Sequence, residues 1–388
     1  MKIIFLINSS FPYYAGGIET WLYNVSKRLC NEHDITIVSQ NYRQYPLLFN
    51  DMPDKIKFIK FKTMNDYKFL RILVRSYINV VNFFIGTYSM AHALRSIINK
   101  RDKYFIIALD TMFNVDAGYH IRKGNTNVVL IASARGPHAE ILSESFPLFR
   151  KLFLIYEKLM LKCADAIWAN GLDTMSLLKS KGFYSVLMRN GVDFKSICNI
   201  STDGLEDILN TFNIKIVSIG TLLDVKGVNE LIDACAILNN RGIKNVELFF
   251  IGKGEPEKYK NRANKLNVAE RVHFLGHKSN VGAYMKKCDI IACLSGGSGM
   301  SMSAIESMAS MTPVIAWDSP VYRQFNANCQ TMHFVKERDP DSLADGIVEI
   351  INNYDYYKKI AQNAREEASH YDWSNIVKEF LFNLEMIK

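Results

Sequence analysis

A chain of 388 residues is longer than one hydrophobic core usually fills, so two domains are expected. Its 48% hydrophobic and 22% charged residues describe an ordinary soluble globular protein and exclude a disordered one. The net charge of +8 is uneven: residues 1–190 hold 25 Lys and Arg against 14 Asp and Glu, a balance of +11, whereas residues 191–388 hold 22 against 25, a balance of −3.

The chain opens with "KIIFLINS", a continuous apolar run of strand length. Met1 to Ile7 is too short a run for a secretory signal, and no cleavage-like site follows. The next piece, "SFPYYAGGIETWLYNVSKRL", reads as a loop with paired glycines leading into a helix. Trp21, Leu22, Val25 and Leu29 supply its buried stripe, and Glu19 sits in the first turn, where the helix dipole favours an anion. Then come "DITIVS", "IKFIKF", "YFIIALD", "NVVLIASARG" and "ADAIWAN", short apolar strands separated by helical stretches. That alternation predicts a parallel sheet covered by helices on both faces.

Two runs of the basic half interleave cations with apolar residues, Lys55 to Arg75 and Phe146 to Lys162. They suit an anionic membrane surface, and equally plain solvated helix faces. No nucleic-acid module accompanies them, so nucleic acid is not expected as a partner. Ser76 to Leu94 contains no Asp, Glu, Lys or Arg and has the length of a membrane span. Its Asn79, Asn82, Thr87, Ser89 and His92 are costly in lipid, and a mostly buried helix is the expectation. The seven cysteines form no C-x-x-C pair, which fits reduced thiols in a cytoplasm better than disulfides or zinc. The eight histidines include no H-E-x-x-H, and no metal site is expected.

After "LMRNGVDF" the pattern starts afresh with "IKIVSIGTLLDVKGVNELIDACAIL", "VELFFIGKGEPEKYKNRA", "VHFLGH", "CDIIACLSGGSGMSMSAIESMAS" and "PVIAWD". In the fourth of these a buried strand, Asp289 to Ala292, meets three glycines and then a helix marked by Met302, Ile305, Met308 and Ala309. Such a junction can accept an anion on backbone N–H groups at the helix start, or be a tight turn with a Ser N-cap. Two doubly wound domains are therefore expected, residues 1–195 and 196–370, facing a central cleft at the carboxyl ends of their strands.

As a set, "PYYAGGIE", "RNGVD", "GTLLDVKG" and "SGMSMSAIESMASMTPVIA" resemble the motifs of the family 4 glycosyltransferases, retaining enzymes of the GT-B fold that use nucleotide-sugar donors. The closing "YDWSNIVKEFL" resembles the family's last helix, which implies that residues 371–388 return to the first domain. The resemblance implies an acceptor-binding first domain and a donor-binding second one. It places Lys226, Gly299, Met300 and Ser301 at the donor diphosphate and Glu306 at the ribose hydroxyls. Gly220 and Thr221 belong to the same loop, and Gly252 and Gly254 to a glycine loop beside the nucleoside. Gly16 and Gly17 allow close approach to the diphosphate or acceptor, and Arg135, with His138 three residues on, falls near the sugar.

Two charges of the family pattern are missing. Thr221 stands where arginine is usual, and Ser298 stands where the first glutamate of E-x7-E is usual. A serine can hydrogen-bond a sugar hydroxyl but brings no charge. The resemblance implies a metal-independent hexosyltransferase without cofactor, acting on a glycan or lipid-linked acceptor for cell-surface polysaccharide such as lipopolysaccharide or capsule. It implies a cytoplasmic location, peripheral on the inner face of the membrane. The alternative is a catalytically impaired binding subunit that holds nucleotide or glycan for a partner enzyme.

Overall fold

The computed structural model describes residues 1–9, 11, 16–40, 49, 51–63, 78–205, 209 and 211–387. Pro12 to Ala15 of the first glycine motif and residues 64–75 of the first basic run lie outside them.

The chain forms two compact units, Met1–Arg189 with Ile376–Lys388, and Asn190–Asn375. In the first, β1 (Lys2–Leu6), β2 (Asp34–Gln40), β3 (Lys57–Phe61), β4 (Tyr104–Ala108), β5 (Val128–Ala134), β6 (Ala166–Ala169) and β7 (Val186–Leu187) make one parallel sheet, ordered β3-β2-β1-β4-β5-β6-β7. In the second, β8 (Ile214–Ile219), β9 (Val246–Ile251), β10 (Val272–Gly276), β11 (Ile290–Cys293), β12 (Val314–Trp317) and β13 (His333–Val335) make another, ordered β10-β9-β8-β11-β12-β13. Central strands such as β1, β4 and β11 are apolar without alternation because helices cover both faces of a parallel sheet.

The expected stripe of the helix Gly17–Leu29 is buried, and Glu19 accepts a hydrogen bond from the Gly16 N–H at 3.0 Å. Phe380, in the helix Trp373–Met386, packs into the first unit: its ring lies 6.0 Å from those of Phe5 and Trp21 and 5.3 Å from that of Trp168. The units divide at Arg189/Asn190, a few residues before the 195/196 boundary read from the sequence.

Lys57–Phe61 is the edge strand β3 that "IKFIKF" predicts, which rules out the alternative of a helix face for this part of the first basic run, and Lys60 turns inward to donate to Ser39 Oγ at 2.7 Å. One expectation about the basic half needs correction. The uncharged segment gives the helix Ile78–Arg95, which buries Met90, Ala91 and Leu94 but exposes Phe84, Ile85 and Tyr88, so it is buried on one side only. No helix among the described residues is long and apolar enough to cross a membrane.

Candidate functional site

In the second sheet β8 lies between β9 and β11, so the connections leaving it on either side run in opposite directions and open a crevice at the strand ends. Two loops meet there, Gly220–Gly227 after β8 and Leu294–Ser301 after β11. The Gly296 N–H donates to the Val225 carbonyl at 2.8 Å, and Lys226 Nζ donates to Ser295 Oγ at 3.1 Å. Ser295 is itself fixed, since its N–H donates to the hydroxyl of buried Tyr322 at 2.9 Å. Lys226 is half-buried, and burial holds its ammonium below the usual lysine range. A largely desolvated cation whose hydrogen bond goes to a neutral hydroxyl attracts an incoming anion strongly.

Beside this lysine begins the helix Met302–Ala309, with Ser301 as N-cap: its Oγ accepts from the Ala304 N–H at 3.3 Å. The Met300 and Ser301 N–H groups have no acceptor among the described residues, as expected at a helix start. The carbonyls facing the other way are tied down, Met300 by Asn190 Nδ2 at 2.6 Å and Gly299 by Gln324 Nε2 at 3.3 Å. The junction thus has both the Ser cap and N–H groups without an acceptor among the described residues, so the two sequence interpretations are compatible. Asn190 gives the "RNGVD" motif a task the sequence did not disclose, because it sets the direction of the peptide before the helix.

Glu306 lies one turn into that helix, partly buried, with no hydrogen bond to its carboxyl among the described residues. Burial pushes the carboxyl up to about 7, and the negative charge of Asp193 adds to the shift. Such a group gains by accepting hydrogen bonds from a ligand's hydroxyls.

The remaining sequence candidates of this unit differ in what holds them. A Cβ on Gly252 would stand 1.9 Å from the Gly220 carbonyl oxygen, and one on Gly254 would stand 2.8 Å from Leu222 Cβ. These glycines let the loops after β8 and β9 touch backbone to backbone. Thr221 and Ser298 are exposed. Arg338, absent from the sequence candidates, sits at φ 60 and donates to the Asp224 carbonyl at 2.9 Å and to Glu230 at 2.7 Å. Its Nη2 lies 2.9 Å from where a Cβ on Gly296 would be, so one side chain braces both loops. No motif in the sequence connects position 338 to these loops.

In the first unit a cavity of about 260 Å³ opens at the ends of β1 and β4, lined by Asn8, Glu19, Asp110, Asn114 and His138 among apolar neighbours. Burial raises Asp110 to about 6, although the N–H groups of Asn114 and Met112 donate to it. Burial lowers His138 to about 4, which keeps the imidazole neutral, and its Nδ1 is 3.5 Å from Thr111 Oγ1. Gly16 precedes the nearby helix, and a Cβ on Gly17 would meet no atom within 4 Å, so packing does not explain that glycine. Arg135 does not line the cavity; its guanidinium lies 3.8 Å over the Trp21 ring and its Nε donates to Ser133 Oγ at 3.2 Å. Burial lowers the guanidinium to about 9. Behind the cavity, buried Glu157 accepts from Thr111 at 2.6 Å and from Lys181, which also pairs with Glu140 at 2.8 Å. No group of three or more His, Cys, Asp or Glu that could hold a metal ion occurs among the described residues.

Two parallel-sheet α/β units of seven and six strands define the GT-B architecture. Along its whole length the chain superposes on Anabaena Alr3699/HepE in complex with UDP, with a TM-score of 0.79 at 19% identity and 100% of both chains covered. It also superposes on WaaG, a glycosyltransferase involved in lipopolysaccharide biosynthesis, with a TM-score of 0.71 at 16% identity, over 97% of this chain and 98% of that one. Residues 208–367, within the second unit, match the family of glycosyl transferases group 1. A phosphatidyl-myo-inositol mannosyltransferase of Mycobacterium leprae (strain TN) is 28% identical over 159 residues, covering 40% of this chain and 42% of that protein. A D-inositol 3-phosphate glycosyltransferase of Corynebacterium glutamicum (strain R) is 28% identical over 164 residues, covering 40% and 39%. The similarity thus spans less than half the length of these relatives.

Proposed function

We propose that the protein transfers a sugar from a nucleotide-sugar donor to a glycan or lipid-linked acceptor, retaining the anomeric configuration and using no bound metal. The observation that carries this is the half-buried Lys226 held by Ser295 beside the start of the helix Met302–Ala309. In this reading the ammonium and the Met300 and Ser301 N–H groups face the donor diphosphate, and Glu306 accepts hydrogen bonds from the ribose hydroxyls. The bond from the anomeric carbon to the diphosphate oxygen breaks, and its electron pair leaves with the nucleotide. The acceptor oxygen bonds to the same face of the anomeric carbon, and its proton passes to the departing phosphate. Lys226 does the electrostatic work that a divalent cation would do in a metal-dependent transferase. In this reading Ser298 faces the donor sugar, and the cavity with Asp110 and His138 in the first unit takes part of the acceptor.

The free state of all seven cysteines supports a reducing, cytoplasmic setting. A neighbour bound to UDP favours a uridine nucleotide, and one in lipopolysaccharide biosynthesis favours a cell-surface glycan. Thr221 and Ser298 favour a second reading, a binding subunit with impaired chemistry. Calorimetry with UDP and GDP, followed by mass spectrometry of a donor panel with candidate acceptors, separates the two. Turnover supports the transferase, and nucleotide binding without any turnover supports the subunit. Failure to bind either nucleotide rejects both.

A further inference from the structure

The polar groups of the first-unit cavity mostly offer lone pairs, and no Lys or Arg stands among its described lining residues. Two of them are carboxylates, Asp110 and Glu19, and backbone N–H groups hold both. Those of Met112 and Asn114 donate to Asp110 at 3.1 and 3.0 Å, and that of Gly16 donates to Glu19 at 3.0 Å. Burial raises both carboxyls, Asp110 to about 6, as it does where no cation offsets the charge. Lys181, behind the cavity, is already paired with Glu157 and Glu140. Asn114, 1% exposed, gives its Nδ2 to the Leu6 carbonyl at 3.2 Å, and its Oδ1 receives no hydrogen bond among the described residues. His138 joins these acceptors through its neighbour. Thr111 donates its one hydroxyl proton to Glu157 at 2.6 Å, so toward His138 Nδ1, 3.5 Å away, it can only accept. The imidazole proton therefore sits on Nδ1, and Nε2 keeps a lone pair. Against these groups stand two neutral side chains, Ser9 and Asn8, whose Oδ1 already accepts from Gln40 at 2.6 Å.

The rest of the wall is apolar and includes Phe83 and Phe113, whose rings stack 4.6 Å apart. Apolar walls with a few convergent polar groups suit a sugar ring, which has C–H faces and a rim of hydroxyls, and about 260 Å³ has room for one. We propose that the ring bound here is an amino sugar in its ammonium form. The ammonium donates to a carboxylate, Asp110 or Glu19, and ring hydroxyls donate to Asn114 Oδ1 and His138 Nε2. An ammonium supplies three donors and the positive charge that the two carboxylates lack. A phosphate or carboxylate on the same ring would bring like charge and further lone pairs to a wall that already holds both. The inference rests on the reading of this cavity as part of the acceptor site, and it narrows that acceptor to a ring without negative charge at this point.

The test is titration of the full chain at neutral pH with glucosamine, glucose and glucuronate, followed by saturation-transfer NMR, beside calorimetry with UDP. Glucosamine should bind about tenfold more tightly than glucose, the gain of a charge-assisted hydrogen bond over a neutral one. Glucuronate should bind at least about tenfold more weakly than glucose. Asp110→Asn and Glu19→Gln keep the shape of the wall and an oxygen for the backbone N–H groups. At least one of them should cut the preference for glucosamine to about threefold or less, while glucose binding changes little. Melting temperatures identify a variant that fails to fold, and the other then carries the test. No binding of any of the three sugars, glucosamine bound no better than glucose, glucuronate bound as well as glucosamine, or a preference that survives in the folded variants overturns the proposal. The calorimetry separates this from failure of the transferase reading. UDP binding without a sugar preference overturns the inference alone, and a carboxylate-dependent preference for glucosamine without nucleotide binding supports the cavity and rejects the transferase.

Discussion

Lys226 Nζ and Ser295 Oγ, 3.1 Å apart, join the two loops that flank the switch point of the second sheet. The bond aims a flexible side chain that would otherwise sample many rotamers, and it does so without neutralising the charge. Lys226→Ala should therefore lower kcat for donor turnover by about a hundredfold or more, the usual loss when one group serving the leaving anion is removed. Ser295→Ala keeps the ammonium and should cost about tenfold or less. Steady-state kinetics of the two variants checks the order, and equal losses would mean that orientation matters as much as charge.

Glu306 supplies a pH dependence of stability. Its carboxyl is raised in the folded protein from an ordinary 4.5 to about 7, chiefly by burial. The folded state therefore holds the proton more tightly than the unfolded chain does. The resulting stabilisation is fully present below about 4.5 and is lost as pH rises to about 7, by at most about 3 kcal/mol. Glu306→Gln cannot ionise, so the difference in urea midpoint between wild type and variant should shift in the variant's favour across that window. A pH-independent difference would show that the carboxyl is not desolvated.

Gly227 closes the Lys226 turn at φ 72, and a Cβ there would stand 2.5 Å from Leu294 Cβ and 2.8 Å from the Leu294 carbonyl oxygen. Gly242 has a similar φ of 85 but would place its Cβ in open space. Gly227→Ala should cost about 2–4 kcal/mol, combining left-handed strain with overpacking. Gly242→Ala should cost about 1 kcal/mol, from strain alone. Denaturant unfolding of the pair isolates the contact between the loops after β8 and β11.

Glu157 is 2% exposed and depends on Lys181 for charge compensation. Lys181→Ala should destabilise the first unit by about 3 kcal/mol, because it leaves a carboxylate buried with Thr111 but no cation. Adding Glu157→Gln should recover much of that loss by removing the charge that had been stranded. Thermal melts of the single and double variants give the coupling.

Of the thirteen strands among the described residues, eleven are legible as runs rich in apolar residues, most of them because a strand covered on both faces must be apolar throughout, whatever it pairs with. The two that were not seen are β7, with two residues, and β13, with three, both too short to carry a pattern. Local chemistry also marked the glycine-to-helix junction at Ser301 and the first-turn position of Glu19, since capping depends on residues three apart. Tertiary structure alone could decide which loops meet. Lys226 and Ser295 are 69 residues apart, and Arg338 and Asp224 are 114 apart, separations across which no local periodicity acts. The same limit explains the helix Arg150–Cys163: its sequence shows apolar residues on two opposite sides, but only packing determines that Phe153 and Leu161 are taken up by the core while Leu152, Ile155 and Leu159 are left facing outward.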